Sequence, residues 1–307
     1  MAGRKKAAVL GHPIGHSRSP QLHRAAYDYL GFDCSYEAID VTEDAAADFA
    51  AAVRRDPAWN GLSVTMPLKA AMAASVDRLD PLAKALGVLN TVTFEQGPAG
   101  TVLTGWNTDV LGLVNALRHA GAAESPRAVV LGAGGTACAA VAALSRMGSA
   151  AVDVHARSFR GSRAGDTPAA GSAQQWADGQ QRADVQLVGD RLGVQVNLRP
   201  WTDAADACAR ADVVICTLPP RGADTLAAEF HALGADCAGA VLLDAAYDPW
   251  PSRIAASWEQ AGGSIVPGLE MLLYQAVEQV RLFTGSAFRD EAAVINVMCD
   301  AVGLPRR

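Results

Sequence analysis

"VVLGAGGTACAAVAALSRMG", Val129 to Gly148, carries an apolar strand into a glycine turn and then into an alanine-rich helix. That order is what makes a GxGxxA pattern informative. Gly132 permits the tight turn, Gly134 lets the backbone approach a pyrophosphate, and Ala137 lets the helix pack on the sheet. The stretch Gly132, Ala133, Gly134, Gly135, Thr136 and Ala137 then offers free amides at a helix start to an anion. Without a ligand, two adjacent glycines before a helix would only cost stability. The reading is a dinucleotide site in a Rossmann-type domain.

The next strand decides which dinucleotide. In "AAVDVHARSFRGSR", Ala150 to Arg163, the post-strand turn holds Arg157 and Ser158, with Arg160 and Arg163 close behind. An arginine there attracts a 2'-phosphate, whereas an acidic residue pairs with a ribose 2'-hydroxyl. Asp153, about 20 residues past the first glycine, is the competing NAD signal. Val152 and Val154 flank it in strand register, which places it mid-strand and away from the cofactor. NADP is therefore expected over NAD.

Outward from this stretch, apolar β-rich runs alternate with Ala/Leu-rich helical ones: "KAAVLG", "SPQLHRAAYDYLG", "CSYEAIDV", "AAADFAAAVRR". The alternation predicts an α/β protein with a mostly parallel sheet. Its 307 residues favour two domains. A change of character near residue 110 sets the expected boundary, with 111–267 as the dinucleotide-binding domain and 1–110 plus 268–307 as a substrate-binding domain, the last helices returning to it. Ser19 before Pro20 reads as an N-cap and N1 pair. The polar segment from Gly161 to Asp184 reads as an exposed insertion.

A net charge of -6 and a pI near 5.5 leave no basic surplus for nucleic acid. No window approaches a membrane span, and the basic start is too short on apolar residues for a signal peptide, so a cytoplasmic location is expected. The six cysteines show no metal-ligand spacing and read as reduced core residues, with no metal site expected.

Hydride chemistry at a carbonyl needs a positioned acid. In "SVTMPLK", Ser63 to Lys69, an amine follows a proline-fixed turn, and "GWNTD" places Asp109 just before a helix. A carboxylate beside Lys69 would orient it and help keep it charged. Alone, Lys69 would read as a solvated surface lysine. Its company argues otherwise. In order, the chain carries "GHPIGHSRSPQLH", "GLSVTMPLK", "GVLNTV", "GWNTD", "VLGAGGTA", "VHARS", "DVVICTLPP", "LLDAAYDP" and "GLEMLLYQA". Through nearly its whole length it resembles the shikimate/quinate dehydrogenase family.

The resemblance implies reversible NADPH-dependent reduction of 3-dehydroshikimate to shikimate, in the pathway to aromatic amino acids, by a monomer or homodimer. It implies Lys69 and Asp109 as the catalytic pair. Ser17 and Ser19 match the serines that hold the substrate carboxylate, and Thr65 matches a contacting hydroxyl. Asn90 and Asp109 match the groups that hold the ring hydroxyls; Gln275 and Tyr247 match further substrate contacts, and Gly268 a residue near the nicotinamide. The turn departs from the family's Asn-Arg-Thr, reading Ala156, Arg157, Ser158. His12 and His16 read as structural turn residues. A quinate or amino-shikimate dehydrogenase is the alternative within the class, and a non-catalytic dinucleotide-binding module the alternative outside it.

Overall fold

The computed structural model describes residues 4–98, 100–157 and 185–307. They form two compact units, Met1–Gly112 with Leu272–Arg307, and Leu113–Met271.

The first unit strings together β1 (Lys5–Gly11), α1 (Ser19–Leu30), β2 (Cys34–Asp40), α2 (Ala46–Arg54), β3 (Trp59–Val64), α3 (Lys69–Ala73), β4 (Arg78–Leu79), α4 (Pro81–Leu86), β5 (Thr91–Gly97) and β6 (Gly100–Trp106). Among the described residues its sheet runs β2-β1-β3-β5-β6-β4. Parallel pairing prevails across the two sheets, as the alternation predicted, but this one is mixed. β1 pairs in parallel with β2 and β3, whereas β5 pairs antiparallel with both β3 and β6. The reason is local: β5 and β6 are joined by a turn too short for a crossover helix, so they can only close as a hairpin.

That reversal positions the site. β1 and β3 end where β5 begins and β6 ends, with Leu10 beside Val64 and Thr91 beside Trp106. The amide of Val64 donates to the Asn90 carbonyl at 2.7 Å, and Asn90 donates to the Trp106 carbonyl at 3.0 Å. Segments distant in sequence thus meet at one end of the sheet's interior strands, which carry a core that includes Leu10, Leu62, Leu68, Leu89 and Leu103.

α5 (Asp109–His119) leads into the second unit: β7 (Ala128–Leu131), α6 (Gly135–Arg146), β8 (Ala151–Ala156), α7 (185–192), β9 (Gln195–Pro200), α8 (Ala204–Arg210), β10 (Val213–Cys216), α9 (Asp224–Ala232), β11 (Val241–Asp244), α10 (Arg253–Gln260) and β12 (Ser264–Pro267). Its sheet, ordered β12-β11-β10-β7-β8-β9, is parallel at every pairing. This is the doubly wound Rossmann order, reversing direction at β7 and β10. Its three central strands, "AVVL", "VVIC" and "VLLD", are buried throughout and almost wholly apolar, as strands covered on both faces are. α11 (Gly268–Thr284) and α12 (Glu291–Val302) complete the chain, and α12 packs on α1.

All six cysteines are buried. Among the described residues no group of His, Cys, Asp and Glu is placed to hold a metal, and no helix is long and apolar enough to cross a membrane. The Gly161 to Asp184 stretch, Ser158, Arg160 and Arg163 lie outside the described residues.

Candidate active site

Lys69 opens α3, directly after the turn that follows β3. The turn is closed by the Leu68 amide donating to the Thr65 carbonyl at 2.9 Å, and the amide of Thr65 reaches the Leu10 carbonyl at 2.8 Å. β1 and this turn come so close because Gly11 lacks a side chain; a Cβ there would stand 2.5 Å from Thr65 Cγ2. Asp109 opens α5. Lys69 Nζ donates to Asp109 Oδ2, with side-chain exposures of 17% and 7%.

The other oxygen of Asp109 is occupied as well. Asn90 Nδ2 donates to Asp109 Oδ1 at 2.8 Å, to Thr108 Oγ1 at 2.9 Å and to Gln275 Oε1 at 3.2 Å. Asn90 Oδ1 accepts from the Thr108 amide and the Thr91 hydroxyl, both at 2.8 Å. The Asn90 amide group therefore cannot flip, and it pins the carboxylate that holds Lys69. Gln275 Nε2 donates to the Leu272 carbonyl at 3.0 Å, which fixes which end of that side chain faces Asn90. Asn90, Asp109, Lys69 and Gln275 are thus one bonded group.

Sequence reasoning missed the layer beneath. Gln279, one turn past Gln275 on α11 and 1% exposed, donates to the Asn90 carbonyl at 3.2 Å and to Thr91 Oγ1 at 2.9 Å. Its own carbonyl accepts from Ser63 Oγ at 2.6 Å, and Ser63 in turn accepts from the Tyr36 hydroxyl at 2.6 Å. The ring of Tyr36 is stacked on that of His23, with centroids 3.9 Å apart. Burial pushes the His23 imidazole down to about 4, so it is neutral at pH 7. The available signal was the i, i+4 spacing of two glutamines on an otherwise apolar helix face.

Ser17 and Ser19 sit at the start of α1 and make no direct hydrogen bond to the Asn90 group among the described residues; neither does the Thr65 side chain. The capping expectation is corrected. Arg18 occupies the N-cap position and no side chain caps the helix, while Ser19 is already helical. The Ser19 amide instead donates back to Ser17 Oγ at 3.3 Å, so the helix begins one residue early and both hydroxyls lie at its mouth. His12 bonds Asp40 at 2.6 Å, and Asp40 also accepts from the Ile14 amide at 3.3 Å, tying the turn to β2.

The second unit holds the glycine turn. Gly132 has φ +110°, and a Cβ there would collide with Thr217 Oγ1. Its amide donates to the His155 carbonyl at 2.8 Å. Gly134 is the N-cap of α6 with no side chain capping it, and a Cβ at Gly134 would meet nothing within 4 Å. Open space over uncapped amides at Gly135, Thr136 and Ala137 fits a pyrophosphate. Ala137 is fully buried. Asp153 is mid-strand opposite Val129 and accepts from Asn197 Nδ2 at 2.8 Å, while Arg199 lies 3.4 Å away. Arg157 follows β8 directly. Tyr247 belongs to the loop after β11, and Gly268 opens α11 where any side chain would collide with the Ala245 carbonyl.

The family model described as the shikimate dehydrogenase substrate binding domain matches residues 9–92, and that of the shikimate 5'-dehydrogenase C-terminal domain matches 268–288. The NADP(+) shikimate dehydrogenase of Rubrobacter xylanophilus is 35% identical over 90% of this chain and 89% of its own, and that of Oleidesulfovibrio alaskensis is 33% identical over 92% and 90%. Among solved structures, the shikimate dehydrogenase of Mycobacterium tuberculosis is 37% identical with a TM-score of 0.77, covering 97% of this chain and 99% of that one. The Thermus thermophilus enzyme, solved in complex with NADP(H) and shikimate, is 28% identical with a TM-score of 0.73 over 97% and 99%. With a third of its residues identical to such relatives across nine-tenths of its length, and with the two sheets just described, the chain belongs to the shikimate dehydrogenase family.

Proposed function

We propose that the protein is an NADP-dependent shikimate dehydrogenase, catalysing the reversible reduction of 3-dehydroshikimate to shikimate, with Lys69 as proton donor and acceptor. The observation that carries this reading is the bonded chain from Lys69 through Asp109 to Asn90. The bound nicotinamide supplies or takes the hydride at the substrate's carbonyl carbon. Lys69 gives one proton to the oxygen that becomes the alcohol, and takes it back in the oxidative direction. An ammonium has three donors, so Asp109 can hold one while another faces the substrate oxygen. Asp109 keeps the amine aimed, and Asn90 holds Asp109 still.

The remaining assignments follow substrate chemistry. Ser17, Ser19 and Thr65 take the substrate carboxylate end, and Asn90, Asp109, Gln275 and Tyr247 take the hydroxyl-bearing ring, each a directional partner that is costly to bury unpaired. Gly132 to Ala137 cradle the pyrophosphate, Arg157 takes the 2'-phosphate, with Ser158 beside it in sequence, and Gly268 lines the nicotinamide pocket. Residues 1–110 with 268–307 then serve the substrate, and 111–267 the cofactor. The relatives named for NADP(+) and the NADP(H)-shikimate complex of a family member support the cofactor and the substrate. The enzyme would act in the cytoplasm as a monomer or homodimer, which sedimentation of the purified protein would decide.

One assay tests the reading: initial rates of nicotinamide absorbance change with shikimate and quinate, each against NADP+ and NAD+. Turnover with shikimate and NADP+ well above the other three combinations is expected. Faster quinate turnover would overturn the substrate assignment, a preference for NAD+ the cofactor assignment, and no turnover at all the enzymatic reading.

A further inference from the structure

Arg157 is an exposed residue on the turn proposed to select the cofactor, a turn that reads Ala156, Arg157, Ser158. A long, free arginine surrenders much rotamer entropy on binding, which lowers the affinity it can give. The turn shows a different support. β8 and β9 pair in parallel with Ala156 beside Pro200, so the next residues, Arg157 and Trp201, leave the ladder side by side. The Arg157 guanidinium carbon lies 5.5 Å from the centroid of the Trp201 ring, within cation–π range. On another side, a Cβ at Gly222 would stand 3.4 Å from Arg157 Nη2, so the guanidinium packs close to a turn that bears no side chain there.

Trp201 is itself held. His155 Nδ1 donates to the Pro200 carbonyl at 2.8 Å, fixing the residue before it, and the half-buried Trp201 packs against the core of the second unit. Asp153, the carboxylate that could have competed, is engaged by Asn197 and lies near Arg199. The arginine is thus steadied by a π face instead of a carboxylate, and that support adds no negative charge to repel a phosphate.

We infer that Trp201 is a positioning residue for cofactor selection, its indole holding Arg157 in the orientation that takes the 2'-phosphate. The inference rests on the proposed role of Arg157. It is tested on the full chain by calorimetric titration of wild type, Trp201→Leu and Trp201→Phe with 2',5'-ADP, NADP+ and NAD+, alongside shikimate oxidation kinetics. Trp201→Leu keeps an apolar filler but loses the π face. It should weaken 2',5'-ADP and NADP+ by roughly 5- to 20-fold, with NAD+ affinity unchanged and the kinetic loss in KM for NADP+ more than in kcat. Trp201→Phe should recover part of the affinity. Should Trp201→Leu not fold, Trp201→Phe made with and without Arg157→Ala carries the test: the Phe change should cost NADP+ affinity only where Arg157 is present.

Equal weakening of NADP+ and NAD+, or wild-type affinity in Trp201→Leu, would overturn the inference and leave Arg157 untouched. A wild type that binds NAD+ as well as NADP+ and ignores 2',5'-ADP would instead overturn the phosphate role of Arg157, and Trp201 with it.

Discussion

Lys69 and Arg157 are the two cations proposed to carry the chemistry, and the protein holds them by opposite means. Lys69 is mostly buried, bonded to a carboxylate that is itself clamped by Asn90, with Thr91 and Gln279 braced behind. Arg157 is exposed, rests beside an aromatic ring and a bare glycine, and among the described residues forms no ion pair. The difference matches the tasks proposed for them. A proton donor has to stay aimed at one oxygen, which a fixed carboxylate favours. A phosphate-binding cation already paired with a carboxylate would have to give up that partner before it could bind.

The comparison breaks first at Lys69. Lys69→Ala should lower turnover by roughly 100-fold or more, the scale of a positioned acid, while leaving NADP+ affinity near wild type in a binding titration. Near-normal turnover would remove Lys69 from the chemistry and with it the contrast. The brace comes next. Gln279→Leu leaves the Ser63 hydroxyl without its acceptor and takes one donor each from Thr91 Oγ1 and the Asn90 carbonyl, and should cost about 2 kcal/mol in urea unfolding, with a smaller fall in turnover than at Lys69. An unchanged urea midpoint would show that the layer under Asn90 is dispensable.

Acid should sharpen the picture of that same layer. His23 binds its proton at about 4 in the folded protein against an ordinary 6.5, so the unfolded chain holds more protons between those values and stability falls as pH drops through them. The slope should be about 1.4 kcal/mol per pH unit in the middle of that window, read from urea midpoints, and His23→Phe should flatten it. A slope that persists in the variant would assign the acid sensitivity elsewhere. The smallest effect is expected at the glycine turn: Gly132→Ala, at φ +110° and against Thr217, should cost about 1–2 kcal/mol of stability and weaken NADP+ and NAD+ alike, since the pyrophosphate is common to both.

Much of the second unit was legible in advance. Its fingerprint is local: strand, glycine turn and helix occupy one unbroken stretch, and both the φ of Gly132 and the burial of Ala137 follow from that stretch alone. Asp153 was placed mid-strand by the same reasoning, from its valine neighbours. The first unit was harder. Its antiparallel hairpin was hidden behind the α/β alternation, and Ser19 was assigned a capping role because nothing in "HSRSP" announces that Ser17 takes its amide. Gln279 escaped notice because a glutamine on a long helix ordinarily faces water, and only packing revealed it to be buried.

By itself the sequence determined the local rules: where a turn needs glycine, which stretches alternate, which residue types could move a proton or meet an anion. These are settled by neighbours within a few positions, through sterics and hydrogen-bonding capacity. The tertiary structure alone decided that Asn90 pins Asp109 against Lys69, that Gln279 braces Asn90, and that Trp201 stands beside Arg157. Each joins residues from separate strands and helices, and such pairings depend on sheet order and register, which no single stretch encodes.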